Sequence, residues 1–292
     1  MTRTPGMSPE EAFEKCERIT ASQAKNFAYG IRLLPKPKRQ ALSAVYALAR
    51  RIDDVGDCAL PADERLSELE RVRTDVRGLL ADPNGDGPTS DPVLVAIREV
   101  ARRYPLPLEA FDELIDGCEL DCSRTTIETY DELVQYCRLV AGTIGRLSVA
   151  IFGVPDMAVA APLADALGVG LQITNILRDI VEDRQEMGRI YIPREDIVGF
   201  GCRPDLTGNR EKLALLISYE ARRARSWYEQ GFALLPLLDY RSRASVATMA
   251  GIYYHLLERI EVEPELPLLG RVSLSGWEKA GVAARALAGL PA

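Results

Sequence analysis

A chain of 292 residues that is 47% hydrophobic and 27% charged can bury a large core, and no low-complexity linker divides it, so residues 1–292 read as one domain. A formal net charge of −7 excludes the clustered cationic face that a nucleic-acid footprint needs. The single histidine cannot supply the paired Glu-x-x-His motifs of a di-iron bundle, and the six cysteines lack zinc-type spacing and read as buried free thiols.

Ser8-Pro9-Glu10-Glu11 is a helix start, with Ser as N-cap, Pro at the first helical position and Glu closing a capping box. The helix runs to about Ile19, which makes residues 1–20 an N-terminal extension helix. Residues 1–17 are charged and lack an apolar signal core, and no run of eighteen apolar residues follows, so the expected location is cytoplasmic. Ala21 to Leu34 brings Lys25 and Asn26, both hydrogen-bond donors for an anion.

Lys36 to Asp57 reads as a long helix with Ala41, Leu42, Val45, Tyr46, Leu48, Ala49 and Ile52 as its apolar set. It ends in Arg50-Arg51-Ile52-Asp53-Asp54-Val55-Gly56-Asp57, where Asp53 and Asp57 share a face one turn apart. Arg50 lies on that face and can fork onto phosphate oxygens. Asp54 points aside.

Pro61 to Leu80 and Pro92 to Tyr104 read as outer helices around a Gly/Pro-rich loop at Asp82 to Pro92. Leu106 to Glu119 turns Phe111, Leu114 and Ile115 inward, and Asp116 and Asp121 read as packing or capping residues. Thr129-Tyr130-Asp131-Glu132 is a second capping box. The helix it starts carries Tyr136, Val140, Ala141, Gly142 and Gly145, of which the Ala and Gly residues are small enough to admit a partner backbone or a long apolar substrate.

From Gly168 onward, Leu171, Ile173, Ile176, Leu177, Ile180 and Val181 form the stripe of one helix reaching about Gln185. Gly168-Val169-Gly170 lacks a preceding strand and a third glycine, so it is no dinucleotide loop. Gln172, Asn175, Asp179 and Asp183 stand three or four residues apart and stack as a row of oxygen ligands. Facing Asp53 and Asp57 across a bundle, they would line a mouth that holds Mg²⁺ and, through it, a diphosphate. Arg189 to Pro193 is the single strand-like piece. Glu211 to Leu235 and Tyr240 to Glu261 close the bundle, and Arg271-Val272-Ser273-Leu274-Ser275 starts the last helix, which bears Lys279.

The two aspartate motifs, with Tyr136-Cys137-Arg138-Leu139-Val140-Ala141-Gly142-Thr143-Ile144-Gly145 between them and Gly188-Arg189-Ile190-Tyr191-Ile192-Pro193 after them, resemble the squalene and phytoene synthase family. The likeness runs from about Ser22 to Lys279 and is nearest to the bacterial presqualene diphosphate synthases of the hopanoid squalene pathway. It implies an all-α isoprenoid synthase bundle around a deep apolar cavity, with Mg²⁺ (or Mn²⁺ in its place) on Asp53, Asp57, Asn175, Asp179 and Asp183. The substrate contacts it implies are Lys25, Asn26, Tyr46, Arg50, Gln172, Asn175, Arg178, Tyr191, Tyr253 and Lys279, with Tyr254 as rival to Tyr253. Tyr136 would stand near the carbocation. The chain departs from the family at Ala24 and Asn26, which replace two phosphate-binding serines.

The implied reaction joins two farnesyl diphosphates head to head into presqualene diphosphate. Phytoene synthesis from two geranylgeranyl diphosphates, or complete squalene synthesis with NADPH, are the enzymatic alternatives. A degenerate scaffold protein is the non-enzymatic one. Greasy products imply loose contact with a membrane surface and hand-off to a downstream squalene-pathway enzyme.

Overall fold

The structure is a computed structural model and describes residues 7–81, 90–107, 109–123 and 125–290. Ser8 accepts from the Glu11 N–H at 3.3 Å and Glu11 accepts from the Ser8 N–H at 3.1 Å, so the expected capping box starts α1 (Pro9–Gln23). After α2 (Phe27–Ile31), α3 (Lys36–Asp57) covers the span its apolar stripe predicts. α4 (Ala62–Ala81) and α5 (Pro92–Arg103) pack on its outer side; residues 82–89 of the Gly/Pro-rich stretch lie outside the described residues.

α6 (Glu109–Ser123) runs past its predicted end and carries Asp121 into its last turns. Thr129 caps α7 (Tyr130–Cys137), but the Glu132 carboxylate turns to the Glu128 N–H at 3.0 Å, so only half of that capping box forms. α7 continues through a widened π-type turn, Arg138–Gly142, into α8 (Thr143–Phe152).

α9 (Met157–Arg178) is the axis of the bundle and packs against α7, α8, α12 (Arg210–Gly231) and α13 (Tyr240–Val262). By length and composition it could cross a membrane, yet half of its apolar window is buried inside the bundle. The glycines set its distance from α8. A Cβ on Gly145 would come within 2.5 Å of the Ala164 carbonyl oxygen, and one on Gly168 within 2.7 Å of that of Ala141. At these positions the small residues admit a partner backbone.

The helix expected to reach Gln185 breaks at Asp179, whose backbone leaves the helical region at φ −107° and ψ 13°. Neighbouring side chains on a regular helix do not face each other. Arg178 and Asp179 form a bidentate pair, which the departure from helical geometry permits. Beyond the break lie α10 (Ile180–Glu182) and a π-type turn, Asp183–Met187, which ends at Gly188 in the left-handed region at φ 65°. Residues 189–193 make one parallel bridge, Thr126 to Ile190, in place of a strand.

α11 (Arg194–Gly199) leads to α12, a 3₁₀ turn at Phe232–Leu237 precedes α13, and α14 (Leu266–Leu269) and α15 (Gly276–Leu287) finish the chain. A single apolar cluster runs through the bundle, with Leu48 and Ile52 of α3, Phe111 and Ile115 of α6 and Ile173 and Leu177 of α9 in it. Tyr46, Leu171, Gln172 and Asn175 stay half-buried on these same packed helices, all near the end that carries the aspartates. Four of the cysteines are buried, two are half-buried, and all are free thiols.

Candidate active site

The first carboxylate pair is a product of helix periodicity alone. Asp53 and Asp57 project from the final turns of α3, and Arg50 donates to Asp53 at 3.1 Å while pairing with Asp54 at 2.6 Å. Asp54 thus turns to the same guanidinium that holds Asp53. The Asp53 side chain keeps 52% of its surface open, yet burial, with Asp57 second, pushes its carboxyl up to about 6 against the pull of Arg50. Both observations hold for a group that lines a concavity: water reaches it, but protein surrounds it. Asp57 is neutralised from afar, since Arg189 donates to it at 2.6 Å and to the Gly56 carbonyl oxygen at 3.3 Å.

The second pair is assembled by tertiary contacts. Asp179 is buried, held by Arg178 at 2.8 Å and by Arg271 at 3.2 Å. Asp183 makes no side-chain hydrogen bond among the described residues. Burial, then Asp179 and Glu182, push its carboxyl up to about 7. The field of Arg189 reaches Asp183 as well as Asp57, so the two motifs meet across this one guanidinium.

Cations gather beside the second pair. Burial and then Arg178, Lys25 and Arg271 hold the Lys279 ammonium below its usual range, which places these four positive charges in one neighbourhood. Asn26, half-buried, precedes Phe27, which stacks on Tyr253 at 5.4 Å. Tyr253 accepts a long hydrogen bond from Arg178 at 3.4 Å, whereas Tyr254 turns away to Arg225 and packs on Tyr228 and Phe232. Of the two rivals it is Tyr253 that faces the cluster. Tyr46 lies within the fields of Arg50, Asp53 and Tyr253, so it stands between the first motif and Tyr253. Gln172 and Asn175 are half-buried and have no side-chain hydrogen bond among the described residues.

Tyr136 and Tyr191 stack at 5.1 Å. Each donates its phenol hydrogen to Asp121, at 2.8 Å and 3.0 Å respectively. Asp121, read from sequence as packing or capping, therefore joins the two site tyrosines; burial raises its carboxyl against Arg189 and both phenols. A signal was available, because Asp121 falls seven residues after Leu114 and three after Cys118, on the apolar stripe of α6 where a carboxylate needs a reason. Arg189 and Arg271 are the other two residues without a site role in the sequence reading.

The donor set fits a hard divalent cation. It offers carboxylates and an amide, two of the carboxylates have raised protonation, one of them (Asp53) sharing the exposed Arg50 and the other (Asp183) without a side-chain hydrogen bond among the described residues, and Mg²⁺ takes one or two carboxylates along with substrate phosphate. No three acidic, His or Cys side chains converge as a closed cage among the described residues.

A family model described as squalene/phytoene synthase matches residues 20–278. The phytoene synthase of Mycobacterium tuberculosis is 46% identical over 285 residues, spanning 96% of this chain and 91% of that one. A dehydrosqualene synthase solved in complex with ligand superposes with a TM-score of 0.85 at 29% identity, over 96% of each chain. The squalene synthase HpnC from Alicyclobacillus acidocaldarius superposes with a TM-score of 0.78 at 30% identity, over 87% of this chain and 95% of that one.

Proposed function

From the premise that the chain belongs to the squalene/phytoene synthase family, and is thus a prenyltransferase with the isoprenoid synthase fold, we propose that it joins two prenyl diphosphates head to head. The observation that carries the reading is the meeting of two carboxylate pairs across Arg189, ringed by Arg50, Arg178, Arg271, Lys25 and Lys279. Asp53, Asp57, Asn175, Asp179 and Asp183 would hold Mg²⁺, which supplies charge neutralisation on the leaving diphosphate. Arg189 and Arg271, paired here with Asp57 and Asp179, are placed to turn to diphosphate oxygens once those carboxylates take the metal.

With diphosphate gone, the donor's allylic cation is attacked by the double bond of the acceptor, and loss of a proton closes a cyclopropane. Tyr136 is the phenol beside that centre, and the packed apolar walls keep water from the cation. The 46% identity to a phytoene synthase favours two C20 geranylgeranyl diphosphates as substrates. Two C15 farnesyl diphosphates, ending at presqualene diphosphate or continuing with NADPH to squalene, are the second reading, favoured by the names of the structural neighbours at 29% and 30% identity.

Product analysis decides between them. Pure protein with Mg²⁺ and geranylgeranyl diphosphate is expected to give a C40 hydrocarbon without NADPH. A C30 cyclopropyl diphosphate from farnesyl diphosphate, with the C20 substrate untouched, would replace the first reading by the second. Turnover of neither substrate would overturn both and favour a scaffold.

A further inference from the structure

Behind the stacked tyrosines lies a cavity of about 30 Å³, lined by Asp121, Thr125, Thr126, Glu132, Tyr136, Arg189 and Tyr191 among others. That is room for one water molecule among several polar groups. The direction of the two phenol bonds determines what can happen there. Both hydroxyl hydrogens are committed to Asp121, Tyr136 to Oδ2 at 2.8 Å and Tyr191 to Oδ1 at 3.0 Å, so Tyr136 has only lone pairs left to offer the reacting carbon. A phenol so held accepts a proton by passing its own onward. Arg189, whose charge reaches Asp121, donates to Asp57, to the Gly56 carbonyl and, at 3.4 Å, to the Tyr191 hydroxyl, and makes no hydrogen bond to Asp121.

We propose that Asp121 is the terminal proton acceptor for ring closure, reached through Tyr136, and that the cavity beside it is the exit by which the proton leaves. The inference rests on the head-to-head condensation proposed above. In this step the C–H electron pair of the cationic intermediate becomes the third ring bond. The proton passes to Tyr136 Oη as the phenol's own proton crosses to Asp121 Oδ2, leaving a neutral phenol and a neutral carboxyl. Water in the cavity, with the Glu132 carboxylate on its wall, then takes the proton from Asp121. Burial raises the Asp121 carboxyl, in the direction this acceptor role requires. Tyr191 completes the arrangement by tying residues 189–193 to the same carboxylate.

The test uses the full chain with Mg²⁺ and whichever prenyl diphosphate the wild-type enzyme consumes. Asp121→Asn preserves shape and one acceptor but removes the base. Cyclopropyl product, or hydrocarbon derived from it, should fall about 100-fold while diphosphate release falls less than about 10-fold, with prenyl alcohol appearing as the cation is quenched by water. A Tyr136→Phe, Asp121→Asn double variant should be no worse than the poorer single variant. Product formation within threefold of wild type, equal loss of product and diphosphate release, or losses that multiply in the double variant would each overturn the relay.

Asp121→Ala gives an independent readout, since it opens space next to the cavity. Added formate should restore product at least tenfold and formamide, of equal size but not basic, should not. Restoration by both, or by neither, would also overturn it. A wild-type protein that makes no condensation product would instead refute the proposed reaction itself.

Discussion

Asp53 and Asp57 stand one turn apart on the regular end of α3, whereas Asp179 and Asp183 straddle a break just past α9, and the two pairs are neutralised in different ways: Asp57 and Asp179 each take a buried arginine, while Asp53 shares the exposed Arg50 and Asp183 has no side-chain hydrogen bond among the described residues. At the first pair the neutralising cation comes from 132 residues away, and the local arginine, Arg50, is 41% exposed. At the second the neutralising cation is the adjacent residue, 6% exposed, with Arg271 joining it. A helix suffices to build the first pair; the second needs the tertiary structure. The first should therefore tolerate change in stability and lose only chemistry, while the second should lose both.

Removing a carboxylate has the largest expected effect at either pair. Asp53→Ala and Asp179→Ala should each lower product formation by about 10³-fold or more, because diphosphate departure loses metal-borne charge neutralisation. The stability consequences should differ: Asp53→Ala leaves an Arg50 that still pairs with Asp54, while Asp179→Ala leaves Arg178 buried without its anion. Calorimetric titration with a non-hydrolysable prenyl diphosphate and Mg²⁺, beside thermal melts, measures both. Metal-dependent binding at wild-type strength in an Asp53→Ala, Asp179→Ala double variant would break the assignment of both pairs.

Next come the arginines. Arg178→Ala leaves Asp179 buried with Arg271 as its remaining partner, at a cost of about 3 kcal/mol and roughly 6–12 °C in Tm. Arg50→Ala removes exposed pairs, so stability should change by less than about 1 kcal/mol, while product formation falls about 100-fold. Equal melting temperatures for the two variants would erase the difference between the regions.

The same difference explains what could be read from sequence. α3 was legible to its last residue because its apolar stripe, Pro35 and Pro37 and the i, i+4 aspartates are all local signals. The spacing of Asp179 and Asp183 was equally plain, but the break between α9 and α10 was not, since the Arg178–Asp179 fork depends on surroundings that periodicity does not encode. Arg189 to Asp57 and Arg271 to Asp179 join residues far apart in the chain, so nothing in either local sequence announces the pairing. Tyr253 and Tyr254, as neighbours on α13, could be told apart only once Phe27 and Arg178 were seen on one side and Tyr228 and Arg225 on the other.

Protonation sharpens the comparison at smaller energies. The Asp53 and Asp183 carboxyls are both raised, so the stability they contribute is full below the ordinary carboxylate range and is lost as pH rises through about 6 and about 7 respectively. Metal-free protein should thus be more stable at pH 5 than at pH 8, by about 1–2 kcal/mol once the exposure of both groups is discounted. Ionised carboxylates are what Mg²⁺ binds, so Mg²⁺ should restore stability at pH 8 and add little at pH 5. Glu220, raised by burial to about 8 beside Arg223 and Asp196, acts with the same sign but stands away from the motifs. Glu220→Gln should remove its share of the pH dependence and leave the Mg²⁺ effect intact. Urea denaturation at the two pH values, with and without Mg²⁺, reads all of this.

The smallest effect is expected at Asp54, one residue from the strongest. Asp54 is 51% exposed and pairs with Arg50 at 2.6 Å, competing with Asp53 for that guanidinium. Asp54→Asn ends the competition and costs one exposed ion pair, so stability should move by about 0.5 kcal/mol or less and product formation by less than about threefold. Arg50 should then spend more time on Asp53 or on phosphate. If Asp54→Asn were instead as damaging as Asp53→Ala, the carboxylate facing the mouth would be Asp54. The i, i+4 pairing that makes the first motif a mirror of Asp179 and Asp183 would then have to give way to an i, i+3 pair of Asp54 with Asp57.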